Sequence, residues 1–113
     1  MPQQRDDCLF CSLAREGAFV HKADGFSAIK DIHPQAPVHL LVIPERHIDT
    51  FHDIAEFDAD ESKRMLEFVA ATAKKAGLDE YRVVVNAGGG AGQTIFHLHW
   101  HILGGRDLGG QLV

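Results

Sequence analysis

The most regular signal in the chain lies near its end, where HLHWHIL alternates histidine with an apolar residue from His97 to Leu103. A period of two belongs to extended backbone. Residues 95–103 are therefore expected to form a strand with His97, His99 and His101 on one face and Leu98, Trp100 and Ile102 on the other. At about 3.4 Å of rise per residue, same-face neighbours would stand about 7 Å apart, within reach of different parts of one ligand or of a shared metal. Residues 38–43 are a continuous apolar run interrupted only by His39 and stopped by Pro44, which predicts a strand, and residues 81–85 predict a β-branched one. A hairpin is expected from residues 19–22 and 26–31 around Asp24 and Gly25, with Phe26, Ala28 and Lys30 alternating against Ser27, Ile29 and Asp31. Residues 8–16 read as a turn and a short helix ended by Gly17, with Leu9, Phe10 and Leu13 on its apolar side. Asp58 and Glu61 have capping-box spacing ahead of Met65, Leu66, Val69, Thr72, Ala73 and Ala76, which predicts one long helix closing near Gly77. Strands that follow one another without crossover helices point to an antiparallel sheet meander with helices on one face. The fold class is thus α+β, with one long helix and a short N-terminal helix.

A length of 113 residues fits one domain, taken as 1–113, because two cores would each be too small to offset the entropy of ordering them. Composition is that of a globular chain, 45% hydrophobic and 24% charged, outside the disordered regime. A formal charge of -5 argues against a nucleic acid polymer or an anionic membrane as partner, so any phosphate must be held by a local constellation. Residues 1–7 lack the basic start and apolar run of a signal peptide, and no later run has the length of a membrane span, so a cytoplasmic location is expected. Eight histidines are the compositional outlier, and imidazole serves metal binding, nucleophilic attack and proton transfer near neutral pH.

Between the last two strands, Asn86 is followed by a glycine-rich stretch to Gly92 and then by Gln93 and Thr94. Backbone without side chains can approach an anion closely and point N–H groups at it, so this loop, standing directly before three histidines, is a candidate phosphate cradle. Cys8 and Cys11 are too close for a disulfide scaffold and form a two-thiolate half-site; a redox pair and two inert buried thiols are the competing readings, the first without a thioredoxin-like βαβ context. His21, His33 and His52 are read as solvated loop histidines.

With these features, HLHWHIL and the loop before it resemble the signature and phosphate loop of the histidine-triad superfamily. DIHPQAPVHLLVIPERHI, YRVVVNAGGGAGQ and the closing LGGR are similar to its branch of nucleotide-binding proteins, the purine nucleoside phosphoramidases. The resemblance runs from Cys8 to Arg106, departing at Lys30, where a histidine is usual, and over residues 17–22. It implies a hydrolase in which His99 attacks the α-phosphorus of a nucleoside 5′-phosphoramidate, or a related phosphoanhydride, giving a nucleotidyl-histidine that water hydrolyses. A backbone carbonyl would fix the His99 tautomer. His101, Asn86, Gly92, Gln93 and Thr94 would hold the phosphate, with His101 a candidate to protonate the leaving amine, and His39 would orient the triad. Asp31 would accept from the ribose hydroxyls, while Leu9, Phe10, Leu13, Ile29 and Ile32 would form the slot for a purine base. Burial statistics favour plain core for Leu13 and Ile29. The resemblance also implies that His47 and His97 complete a structural zinc site with Cys8 and Cys11, a donor set suited to tetrahedral zinc. Homodimers through the long helix and a sheet edge are implied as well. The alternative function is a non-catalytic nucleotide- or metal-binding module in which the three histidines jointly hold a metal.

Overall fold

A computed structural model describes residues 7–23 and 25–110. The expectations placed on residues 1–6 and on Asp24 fall outside that range. Helix α1 spans Leu9–Glu16, and α2 spans Ala59–Lys75. Five antiparallel strands, β1 (His21–Ala23), β2 (Phe26–Lys30), β3 (Val38–Pro44), β4 (Tyr81–Val84) and β5 (Trp100–Gly104), form one sheet in the order β1-β2-β3-β5-β4. No helix among the described residues is long and apolar enough to cross a membrane.

The α+β antiparallel fold is as the pattern predicts, but the order departs from a strict meander. After β3 the chain runs through a 3₁₀ segment, Phe51–Glu56, and through α2, and β4 lands at the far edge. β5 then inserts between β3 and β4, with Leu41 opposite His101 and Val84 opposite His101 on its other side. The helices also do not share a face. Phe26, Ala28, Leu40, Val42, Leu98, Trp100 and Ile102 pack with Met65, Phe68, Val69 and Ala73 of α2. Ile29, Leu41 and Ile43 pack on the other side with Phe10 and Ala14 of α1. This double coverage explains why β2 is buried at four successive positions instead of at every second one.

Local chemistry sets the helix limits. The Cys8 side chain caps α1 by accepting the Cys11 N–H at 3.3 Å, and the Gly17 N–H donates to the Leu13 carbonyl at its end. Ser27 Oγ donates to the Ala14 carbonyl at 3.0 Å, tying α1 to the sheet. Asp58 Oδ1 accepts the Glu61 N–H at 2.7 Å, as the capping spacing requires. In α2 the buried stripe is Met65, Phe68, Val69, Thr72 and Ala73. Leu66, expected on it, is 55% exposed, because the stripe follows the i, i+3, i+4 positions of Met65 and not of its neighbour.

β5 begins at Trp100, five residues later than predicted. β3 pairs with β5 only as far as Val42 opposite Trp100, and the last residues of β3 pair with β2 alone. Residues 97–99 are thus outside the ladder, although the Leu98 N–H donates to the Ile48 carbonyl at 2.6 Å and the inward-outward alternation persists. The first hairpin arm is also shorter than predicted, beginning at His21.

Candidate active site

His39, His97, His99 and His101 meet on the α1 face of the sheet. The register sets Leu41 opposite His101 and His39 opposite Leu103, so His39 lies on the diagonal from His101. Its Nε2 is 2.9 Å from His101 Nδ1. The ring centroids of His99 and His101 are 5.0 Å apart, and the edge of Phe10 packs against His99 at 4.9 Å.

Hydrogen bonds assign the ring protons. His99 Nδ1–H donates to the His97 carbonyl at 2.8 Å, which leaves the lone pair on Nε2. The Gln35 N–H donates to His39 Nδ1 at 3.0 Å, so a neutral His39 carries its proton on Nε2 and donates it to His101 Nδ1. His101 then presents Nε2–H away from the sheet strand that orients it. Burial lowers the His99 pKa from the usual histidine value, against the bond to His97 and the Asp31 charge, which raise it. Burial, followed by the neighbouring His99 and His39, lowers His101 to about 4. Both rings are neutral at pH 7.

The other expected residues divide. Asp31 Oδ2 stands 3.4 Å from His39 Nε2, and its Oδ1 accepts the His33 N–H at 2.8 Å, the turn-capping contact common for this residue type. Leu9 is 57% exposed and Ile32 is 85% exposed, whereas Phe10 and Ile29 belong to the buried core on the α1 face. Leu13 packs on that core. In the loop, Gly88 and Gly92 have φ of 92° and 102°, a backbone open to glycine and strained for other residues. Asn86 is half-buried against Gly92, and Thr94 is exposed. Gln93, expected as a phosphate donor, is 3% exposed and turned inward. Its Oε1 accepts the Gly88 N–H at 2.9 Å, and its Nε2 donates to the carbonyls of Asp49 at 2.7 Å and Ile95 at 3.1 Å. Both amide protons are therefore committed, and Gln93 braces the glycine loop from within.

Cys8, Cys11, His47 and His97 bring four candidate ligand atoms within 4.8 Å of one another. Cys8 Sγ is 3.3 Å from His97 Nδ1, and Cys11 Sγ is 3.3 Å from His47 Nδ1 and 3.5 Å from His97 Nδ1. A tetrahedral zinc with bonds of about 2.3 Å to sulfur and 2.0 Å to nitrogen has S···N edges of about 3.5 Å, so the donor set fits. The outer nitrogens fit too. His47 Nε2–H donates to Asp49 Oδ1 at 2.6 Å and His97 Nε2–H to the Pro44 carbonyl at 2.8 Å, which turns both Nδ1 lone pairs toward the thiolates. A second grouping, Asp31, His39 and His101, is knit by the hydrogen bonds above, and His99 belongs to neither.

Sequence reasoning passed over Asp49, the Pro44 carbonyl and the Gln35 N–H. For Asp49 the signal was available, since His47-x-Asp49 puts a carboxylate two residues from a ligand; the other two are backbone groups brought in by the fold. His33 and His52 are exposed, as expected, but His21 is not a loop histidine: on β1 it stacks on Phe68 with ring centroids 4.5 Å apart and lies 3.0 Å from Thr72 Oγ1.

Comparison with known proteins adds three observations. A family model described as HIT domain matches residues 14–108. The chain is 39% identical over 112 residues to a purine nucleoside phosphoramidase of Escherichia coli K12, covering 95% of this chain and 94% of that one. Solved structures of a histidine triad protein from Clostridium difficile (TM-score 0.85, 34% identity, 96% of this chain and 98% of that one) and of a HIT family hydrolase from Legionella pneumophila (TM-score 0.80, 39% identity, 91% and 96%) share its fold.

Proposed function

The chain belongs to the HIT domain family, and on that premise we propose that it hydrolyses the phosphorus–nitrogen bond of purine nucleoside 5′-phosphoramidates through a nucleotidyl intermediate on His99. The observation that carries this reading is the 2.8 Å bond from His99 Nδ1–H to the His97 carbonyl, which makes Nε2 the nucleophilic atom.

In the first step the Nε2 lone pair forms a bond to the α-phosphorus as the phosphorus–nitrogen bond breaks. His101 Nε2–H would face the leaving amine and is the candidate to supply the proton that the amine takes. In the second step water attacks phosphorus, His101 recovers a proton from that water, and His99 leaves with its electron pair. Because the Gly88, Ala91 and Gly92 N–H groups are bonded within the loop, the charge that builds on the phosphoryl oxygens would fall to the loop's other N–H groups and the Thr94 hydroxyl. Asp31 accepts from the ribose, and Leu9, Phe10 and Ile32 flank the base.

Cys8, Cys11, His47 and His97 would hold a structural zinc, which supplies cross-linking between α1, the turn after β3 and the approach to β5. His99, outside that donor set, stays available to substrate. The same reading takes the protein to be a homodimer through α2 and the edge strand β4, where Tyr81 and Val83 are 40% and 41% exposed and one strand edge is unpaired among the described residues. Incubation with adenosine 5′-phosphoramidate tests the activity. Wild type is expected to release AMP, and His99→Ala to be slower by on the order of 10⁴-fold or more; equal rates would reject His99 as nucleophile.

A further inference from the structure

His97 belongs to two constellations at once. Its Nδ1 faces Cys8 Sγ and Cys11 Sγ at 3.3 and 3.5 Å, while its carbonyl receives the His99 Nδ1–H at 2.8 Å. Residues 97–99 precede β5, so no strand ladder fixes that carbonyl. What anchors the segment is the side chain of His97, fully buried and held between the two sulfurs and the Pro44 carbonyl, together with the Leu98 side chain in the core on the other face and the Leu98 to Ile48 hydrogen bond. Phe10 adds a second connection. It sits on α1 between the two cysteines, and its ring edge meets both His97, at 6.2 Å, and His99, at 4.9 Å.

From this arrangement we propose that Cys8 and Cys11 are a hydroperoxide-sensitive thiol pair whose oxidation to a disulfide disarms His99 through His97. The inference rests on the zinc and nucleophile assignments above and deepens them. Cys8 is half-buried at the N-cap of α1, and Cys11 is fully buried. Cys8 is therefore the thiolate a small peroxide reaches. Its sulfur attacks one peroxide oxygen, the O–O bond breaks, and the departing oxygen takes a proton to leave as an alcohol or water. The Cys8 sulfenic acid is then attacked by Cys11 Sγ, which expels the hydroxyl as water. Two thiolates, one hydroperoxide and two protons give one disulfide, one alcohol and one water, with both electrons drawn from sulfur.

Oxidation must displace the atoms around His97. The two sulfurs, within 4.8 Å of one another in the reduced protein, must close to about 2.05 Å in a disulfide, and that moves the first turn of α1 and with it Phe10. A metal held there loses both anionic ligands. The buried Nδ1 of His97 is left without its partners, and although Leu98 stays anchored in the core, no ladder bond holds the His97 carbonyl itself, so the peptide that selects the His99 tautomer shifts as the His97 ring moves. Displacements of about 1 Å at a reacting centre cost on the order of 10²-fold in rate. Hydrolysis should thus fall at least tenfold on oxidation.

The test treats reduced, zinc-loaded full-length protein with hydrogen peroxide. Intact mass, zinc released to a chromogenic chelator, long-range ¹H–¹⁵N correlations of the His99 ring and phosphoramidate turnover are followed together. The expected result is loss of two hydrogens from the peptide carrying Cys8 and Cys11, one zinc released with the same time course, a shift of the His99 ring nitrogens away from the Nδ1–H pattern and at least tenfold slower turnover. Dithiothreitol with zinc should reverse all four. A Cys8→Ala/Cys11→Ala variant, whatever its starting activity, should show no further peroxide-dependent change in the His99 ring. Disulfide formation with an unmoved His99 ring, or thiols that stay reduced under peroxide, overturns the inference. Absence of bound zinc at the outset would reject the zinc assignment alone, and absence of turnover the phosphoramidase assignment alone, because mass and ring signals still report the coupling.

Discussion

Replacing Gln93 by alanine separates two roles that the side chain could have in the glycine loop. In the structure its amide joins three backbone groups from different segments: the Gly88 N–H, the Asp49 carbonyl and the Ile95 carbonyl. Each bond to a buried side chain contributes about 1 kcal/mol net, and partners left unmatched cost about 1–3 kcal/mol apiece. Asp49 and Ile95 retain some access to water, which favours the lower end for their carbonyls. The sum is a destabilisation of about 3 kcal/mol, a large fraction of the 5–15 kcal/mol typical of a domain. In thermal terms it amounts to a Tm lower by roughly 10 °C. Urea unfolding followed by tryptophan fluorescence reads it directly, since Trp100 sits in the core. If Gln93 instead donated to substrate phosphate, the variant would keep its stability and show a raised KM. A loss below about 1 kcal/mol with a raised KM would refute the bracing role.

Metal content distinguishes the donor sets. Zinc should be lost from Cys8→Ser and Cys11→Ser and kept by His99→Ala; zinc retained in both cysteine variants would favour the triad as the metal cage. Acid stability reports His101. With a folded pKa of about 4 against an unfolded 6.5, the unfolded chain takes a proton that the folded ring refuses. Stability from this group is therefore full above pH 6.5 and lost as pH falls toward 4. The partly solvated position scales the loss to about 1–2 kcal/mol. His101→Gln should show a shallower decline over that window in urea titrations, and identical slopes would contradict the assigned environment.

Much of the site was legible because alternation survives where hydrogen bonding does not. Leu98, Trp100 and Ile102 go to the α2 side, and His97, His99 and His101 to the other, although only the stretch from Trp100 is paired. The pattern records which side is buried and is blind to where a ladder ends, which depends on β3 turning its last residues to β2 alone. The Asp58 cap and the glycine ends of both helices were readable because they are contacts within a few residues. Strand order was not, since β4 and β5 carry similar patterns and their exchange is decided by the path of α2. The inward turn of Gln93 was hidden because one of its partners, the Asp49 carbonyl, lies forty-four residues away and is brought in only by the fold.

The central claim is that the reacting atom is Nε2 of His99. Rapid mixing with adenosine 5′-phosphoramidate, an alkaline quench that preserves phosphorus–nitrogen bonds and peptide mapping by mass spectrometry would locate the nucleotidyl group. An adenylyl adduct on His99, formed and lost at rates that account for turnover and absent from His99→Ala, is the predicted result. An adduct on another residue, or unimpaired hydrolysis by His99→Ala, would contradict it.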